Sequence, residues 1–231
     1  DFVHFDAYRI SAPHADDWAG FERFARASVR EWAAPMESVG AKMRTLQAVN
    51  RPLPAAAWSQ AIHGGWDADG DRERPVPTGD EVRSQAWQVL AAGAKSLYWF
   101  SLQRDSVVTW VDALEDHARV GREVAVLEPL LAEADTTWWE RQGEEHRPVL
   151  ELNALASPEA LVVVAQDLDY EPNEAPVLEW TWRPVDVAVP ASAARRIVGG
   201  EVEVLRLLDG EVGRQEAVRD SKGGLFFRGE V

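Results

Sequence analysis

The chain has 231 residues, 46% of them hydrophobic, which is enough for one large domain or two ordinary ones with a sizeable core. Its 39 acidic side chains against 24 scattered basic ones leave a net charge of −15, which disfavours nucleic acid and anionic membrane and suits a neutral or cationic ligand. There is no cysteine, so a disulfide framework and a thiolate metal site are excluded, and no apolar run approaches the roughly 20 residues of a membrane span.

The first elements alternate between strand and helix. DFVHFDAYRI (1–10) reads as a short strand, followed by the capping candidates Asp16 and Asp17. Trp18, Phe21, Phe24, Ala25, Val29 and Trp32 then recur at three- and four-residue steps, one face of a helix that Pro35 interrupts and that resumes to Asn50. RPLPAAAWSQ (51–60) is the second strand, with its prolines confined to the start, where a missing N–H is tolerated. The long charged loop 62–77 follows. It ends in Thr78-Gly79-Asp80-Glu81, a capping box that starts a helix with Val82, Ala86, Val89 and Leu90 facing inward. AKSLYWFSL (94–102) is the third strand, and a helix runs from about Val107 to Ala134, with Pro129 near its end.

After Asp135 the texture changes to short strands with turn signals: 149–155, 160–168, 177–190, 201–218 and 224–231. Asp209-Gly210 is a hairpin signal inside the fourth of these. The pattern predicts two domains, residues 1–135 and 136–231, the second an antiparallel β-sandwich. Trp138 and Trp139 are expected to pack between them.

Three strand–helix units in succession imply a parallel sheet, and three strands alone leave two unprotected edges. The expected fold class is therefore α/β plus all-β: the last three units of a (β/α) TIM-type barrel, followed by the sandwich, in a chain that is a C-terminal fragment whose partner is the missing N-terminal half of the barrel. No Gly-rich phosphate-binding turn follows any strand. PVPTGDEVRSQAWQVLAAGAKSLYWFSLQ (75–103) resembles the stretch before the last barrel strand of glycoside-hydrolase-like proteins. Trp58-Ser-Gln60, Gly64-Gly65-Trp66 and Asp6-Ala-Tyr8 resemble strand ends of the same group. The resemblance implies a carbohydrate substrate and suggests a secreted or cell-surface location.

Barrel ligands sit at the C-terminal ends of strands. The candidates are Asp6 as a catalytic carboxyl, and Tyr8, Trp58, Gln60, His63, Trp66, Trp99, Ser101 and Gln103 as substrate-binding residues. Sugars have apolar ring faces and polar rims, so a site for them wants flat aromatic platforms beside hydrogen-bonding groups. Glycosidic cleavage needs two carboxyl groups roughly 5 to 10 Å apart. The resemblance puts the nucleophilic glutamate near Gln60, and an amide cannot do that work. The expected function is thus a glycoside hydrolase whose carboxylate pair is only partly present, or else a non-catalytic carbohydrate-binding protein. Asp6 can equally cap the following loop or pair with Arg9, and Trp99 can point into the wall instead of the site. His63 lacks partners at metal-ligand spacing, and the acidic loop Asp67, Asp69 and Asp71 lacks the glutamate that would complete a calcium loop, so neither metal nor cofactor is expected.

Overall fold

The computed structural model describes residues 2–7, 35–61, 77–100, 110–144, 147–169, 182–195, 197, 202–208 and 211–231. Strands β1 (Val3–Ala7), β2 (Ala55–Gln60) and β3 (Ser96–Phe100) form a parallel sheet in the order β1-β2-β3. Parallel neighbours need long crossovers. Helix α1 (Pro35–Asn50) lies between β1 and β2 in the chain, α2 (Gly79–Ala91) lies between β2 and β3, and α3 (Val111–Glu133) follows.

Local chemistry explains the helix ends. Thr78 Oγ1 accepts from the Glu81 N–H while Glu81 Oε2 accepts from the Thr78 N–H at 2.8 Å, the reciprocal box that satisfies two orphan donors of α2. Just past that helix, Gly93 takes φ +98°, a conformation that costs glycine nothing. Lys95 Nζ donates to the carbonyls of Leu131, at 2.9 Å, and of Ala134, supplying a cation that the last turn of α3 lacks. Helix α3 continues through Pro129 to Glu133.

The helices cover one face of the parallel sheet. Val39 and Met43 of α1 and Val89 and Leu90 of α2 cluster with Val3, Phe5, Ala55, Ala57 and Leu97, which the strand register places on a common side. The other side of the helix layer meets a second sheet, β4 (Asp135–Glu144), β5 (Arg147–Ala156) and β6 (Leu161–Asp167), antiparallel in that order. Leu155, Val162 and Val164 join the helix cluster, and Gln166 Nε2 donates to the Ser84 carbonyl of α2 at 3.2 Å.

The opposite face of β5 and β6 carries Leu150, Leu152, Ala154, Leu161, Val163 and Ala165 into another core. That core is shared with a third sheet of β7 (Pro184–Val189), β8 (Val202–Leu208), β9 (Glu211–Arg219) and β10 (Leu225–Glu230), in the order β7-β10-β9-β8. The short α4 (Ala191–Ala194) follows β7 and contributes Ala193 and Ala194 to it. The layers thus run parallel sheet, helices, antiparallel sheet, antiparallel sheet. Because β5 is covered on both faces, all of its residues from Leu150 to Ala156 are buried, Glu151 and Asn153 included.

The expected partial TIM-type barrel is overturned. The parallel strands stay an open three-stranded sheet, with β1 and β3 at its margins among the described residues, and they do not form part of a closed (β/α) barrel. In such a barrel the far side of the helix layer faces solvent. Here β5 and β6 pack on it.

Candidate functional site

Strand β2 reads AAAWSQ, and its alternation divides two surfaces. Ala55, Ala57 and Ser59 point toward the helices; Ala56, Trp58 and Gln60 point away from them. Across the sheet, Trp58 has Asp6 as its register partner on β1 and Tyr98 as its register partner on β3, and the Trp58 and Tyr98 rings share the face turned away from α1, α2 and α3. The Trp58 and Tyr98 rings stack with centroids 4.9 Å apart and planes inclined by 25°. Such a pair contributes about 1 kcal/mol beyond its buried area. Tyr98 is 40% exposed and Phe100, the next residue of β3 on that face, is 38% exposed.

Gln60 also lies on this face but is fully buried. Its strand end is held from the helix side: the Gln60 N–H donates to Gln85 Oε1 at 3.2 Å, and Gln85 Nε2 donates back to the Gln60 carbonyl at 3.5 Å. These bonds tie the main chain of Gln60 to α2, and its side chain is buried.

Trp99 stands apart from the other candidates. As the register partner of Ser59, it points toward the helices, packed with Val82, Ala86, Val120 and Val124. Its ring meets His117 of α3 edge-on, centroids 4.7 Å apart and planes at 85°. His117 Nδ1 lies 2.6 Å from the Ala113 carbonyl, which can only accept, so Nδ1 carries the proton. Nε2 is then an acceptor, buried and without a hydrogen-bond partner. Burial pushes the imidazole pKa down against the opposing hydrogen bond to Ala113 and the charge of Asp116, so the ring is held neutral.

Tyr8, His63, Trp66, Ser101, Gln103 and the acidic loop Asp67, Asp69 and Asp71 lie outside the described residues. Among the described residues, no group of three or more His, Asp or Glu side chains is gathered to hold a metal. Two residues escape sequence reading, Tyr98 beside Trp58 and His117 beside Trp99 on the other side of the sheet. Tyr98 is signalled by the same period-two alternation as Trp58, and His117 by its four-residue spacing from Ala113 on the buried side of α3.

No family model matches the chain. No curated protein and no solved structure matches it either.

Proposed function

We propose that this is a carbohydrate-active protein whose saccharide meets the face of the parallel sheet turned away from the helices. The observation that carries the reading is the Trp58–Tyr98 stack, set in one register row with Asp6 and flanked by the exposed ring of Phe100. Aromatic faces of this kind receive the C–H faces of sugar rings, while a carboxylate and a phenol accept and donate to the hydroxyl rim. The resemblance of residues 75–103 and of Trp58-Ser-Gln60 to glycoside-hydrolase-like proteins points the same way. Binding is the primary role. Hydrolysis calls for two carboxyl groups, and among the described residues of β1, β2 and β3 Asp6 alone carries one.

The test is calorimetric titration of the whole chain with a panel of neutral, amino and acidic oligosaccharides. Binding that is lost in Trp58→Ala with unchanged circular dichroism is the expected result. Wild-type protein that binds no member of the panel, or binds as well without Trp58, refutes the reading. Hydrolysis, as the second reading, is favoured by the position of Asp6 beside Trp58 and predicts reducing-end release that disappears in Asp6→Asn.

A further inference from the structure

We propose that the outer face of α3 docks a second copy of this chain, the two α3 helices lying antiparallel. A surface helix ordinarily turns apolar residues toward the core and charged ones toward water. Helix α3 carries apolar residues on both sides. Ala113, Val120 and Leu131 are buried on its inner side. On the outer side Val111 is 66% exposed and Leu114 39%, and Ala118, Gly121, Ala125 and Ala132 are exposed as well. These six recur at alternating three- and four-residue steps as far as Ala125, with Ala132 one heptad beyond, and at 3.6 residues per turn they share an arc of about 80°. Single exposed apolar side chains need no explanation, but a continuous outward stripe marks a contact surface.

The charges beside the stripe select the occupant. Glu115 and Arg122 are both exposed on one flank of it. They stand two turns apart, beyond the three- or four-residue spacing at which side chains of one helix meet. An antiparallel second copy, with Ala118 of each chain against Gly121 of the other and Leu114 against Ala125, brings Glu115 of each chain opposite Arg122 of the other. The twofold axis makes that contact twice, as a self-complementary interface requires. A parallel copy would instead set glutamate on glutamate and arginine on arginine. Nothing lies within 4 Å of a Cβ built on Gly121, and the small residues at the crossing let the two helix axes approach to about 8 Å. The stripe from Val111 to Ala125 is only about 21 Å long, so the interface is at the small end for a specific contact and the dimer is weak, with a dissociation constant of about 10 to 100 μM.

Sedimentation velocity of the whole chain from about 1 to 300 μM, in about 0.15 M salt to screen the net charge of −15, tests this. A concentration-dependent monomer–dimer equilibrium is expected. Ala118→Glu, Arg122→Glu and Glu115→Arg should each weaken it about tenfold or more, because every substitution acts twice across the axis. The double exchange Glu115→Arg with Arg122→Glu should bring association back to near the wild-type level. All three positions are exposed, so circular dichroism should be unchanged. The chain has no cysteine, so single-cysteine variants report direction: a short bis-maleimide should join two copies of Ala118→Cys and not of Ala132→Cys, whose copies lie about 37 Å apart along the antiparallel axis. A chain that stays monomeric throughout, a dimer indifferent to the three single substitutions, or a double exchange that remains monomeric overturns the inference. So does cross-linking at position 132 in place of 118, which reports a parallel pair.

Discussion

Arg44 on α1 and Glu151 on β5 are 107 positions apart in the chain and meet in a bidentate ion pair, with Nη1 to Oε1 at 3.0 Å and Nη2 to Oε2 at 2.9 Å. Glu151 is fully buried. It also accepts from Arg141 Nε at 2.7 Å and from Asn153 Nδ2 at 3.0 Å, while Trp139 lies beneath both guanidiniums. The carboxylate thus ties the helix layer to the antiparallel sheet at a point where an apolar side chain might have been expected.

Removing Arg44 leaves that buried charge with Arg141 alone. Loss of one partner of a buried pair costs about 3 to 5 kcal/mol when nothing replaces it, and the retained Arg141 puts Arg44→Ala at the lower end, about 3 kcal/mol. Urea unfolding followed by far-ultraviolet circular dichroism measures it. A change below about 0.5 kcal/mol would show that the pair contributes no more than a surface bridge.

Stability should fall with acid in two stages. Burial alone pushes the Glu151 carboxyl up, but the Arg44 and Arg141 guanidiniums and the Asn153 amide more than reverse this and hold it below the ordinary glutamate value. The unfolded chain therefore binds the proton first, so this contribution is complete above the ordinary glutamate range, about pH 5, and is lost as pH drops through the lower folded value. His117 is likewise depressed, by burial. Its contribution is present above about pH 6.5 and declines earlier in the same descent. The urea midpoint measured between neutral and acid pH should show both stages, and His117→Gln should erase the first while leaving the second.

Two glycines should respond in opposite directions. A Cβ on Gly93 would stand 2.6 Å from Gln47 Nε2, 2.9 Å from its Oε1 and 3.0 Å from Thr136 Oγ1, at a backbone φ of +98°. Gly93→Ala is expected to destabilise by about 1 to 3 kcal/mol. Gly121 sits on the exposed side of α3 with nothing within 4 Å of an added Cβ, so Gly121→Ala should stabilise by up to about 1 kcal/mol. Thermal unfolding of the two variants tests the pair; a stabilised Gly93→Ala would contradict the close approach of Gln47.

Leu152 lies fully buried in the core between the two antiparallel sheets. Leu152→Ala should cost about 2 to 5 kcal/mol through lost burial and the cavity left behind. A loss under 1 kcal/mol would mean that the sheets close over the gap.

Trp58 was legible as a site candidate because AAAWSQ places a large ring at a single position among small residues, and strand alternation then fixes its side relative to Ala57. Trp99 was not, for a related reason. SLYWF has two adjacent aromatics, alternation sends them to opposite faces, and nothing local says which face the helices cover. The structure turns Tyr98 to the Trp58 side and Trp99 to the helix side. Glu151 and Asn153 alternate with Leu150, Leu152 and Ala154 along β5, and both are buried because β5 is covered on both faces.

What the sequence determined alone is the set of elements whose signals act over a few residues. These include the capping box at Thr78 and Glu81, the inward stripe of α2, the strand character of 55–60 and 96–100, and the antiparallel pairing of the neighbouring β8 and β9. These depend on hydrogen bonds and periodicities internal to a segment. Tertiary structure decided the rest: an open sheet in place of a barrel, a helix layer shared by two sheets, and the meeting of Arg44 with Glu151. Closure and layer order follow from which apolar faces find one another across a hundred positions, and an alternating strand–helix pattern is the same local signal for either outcome.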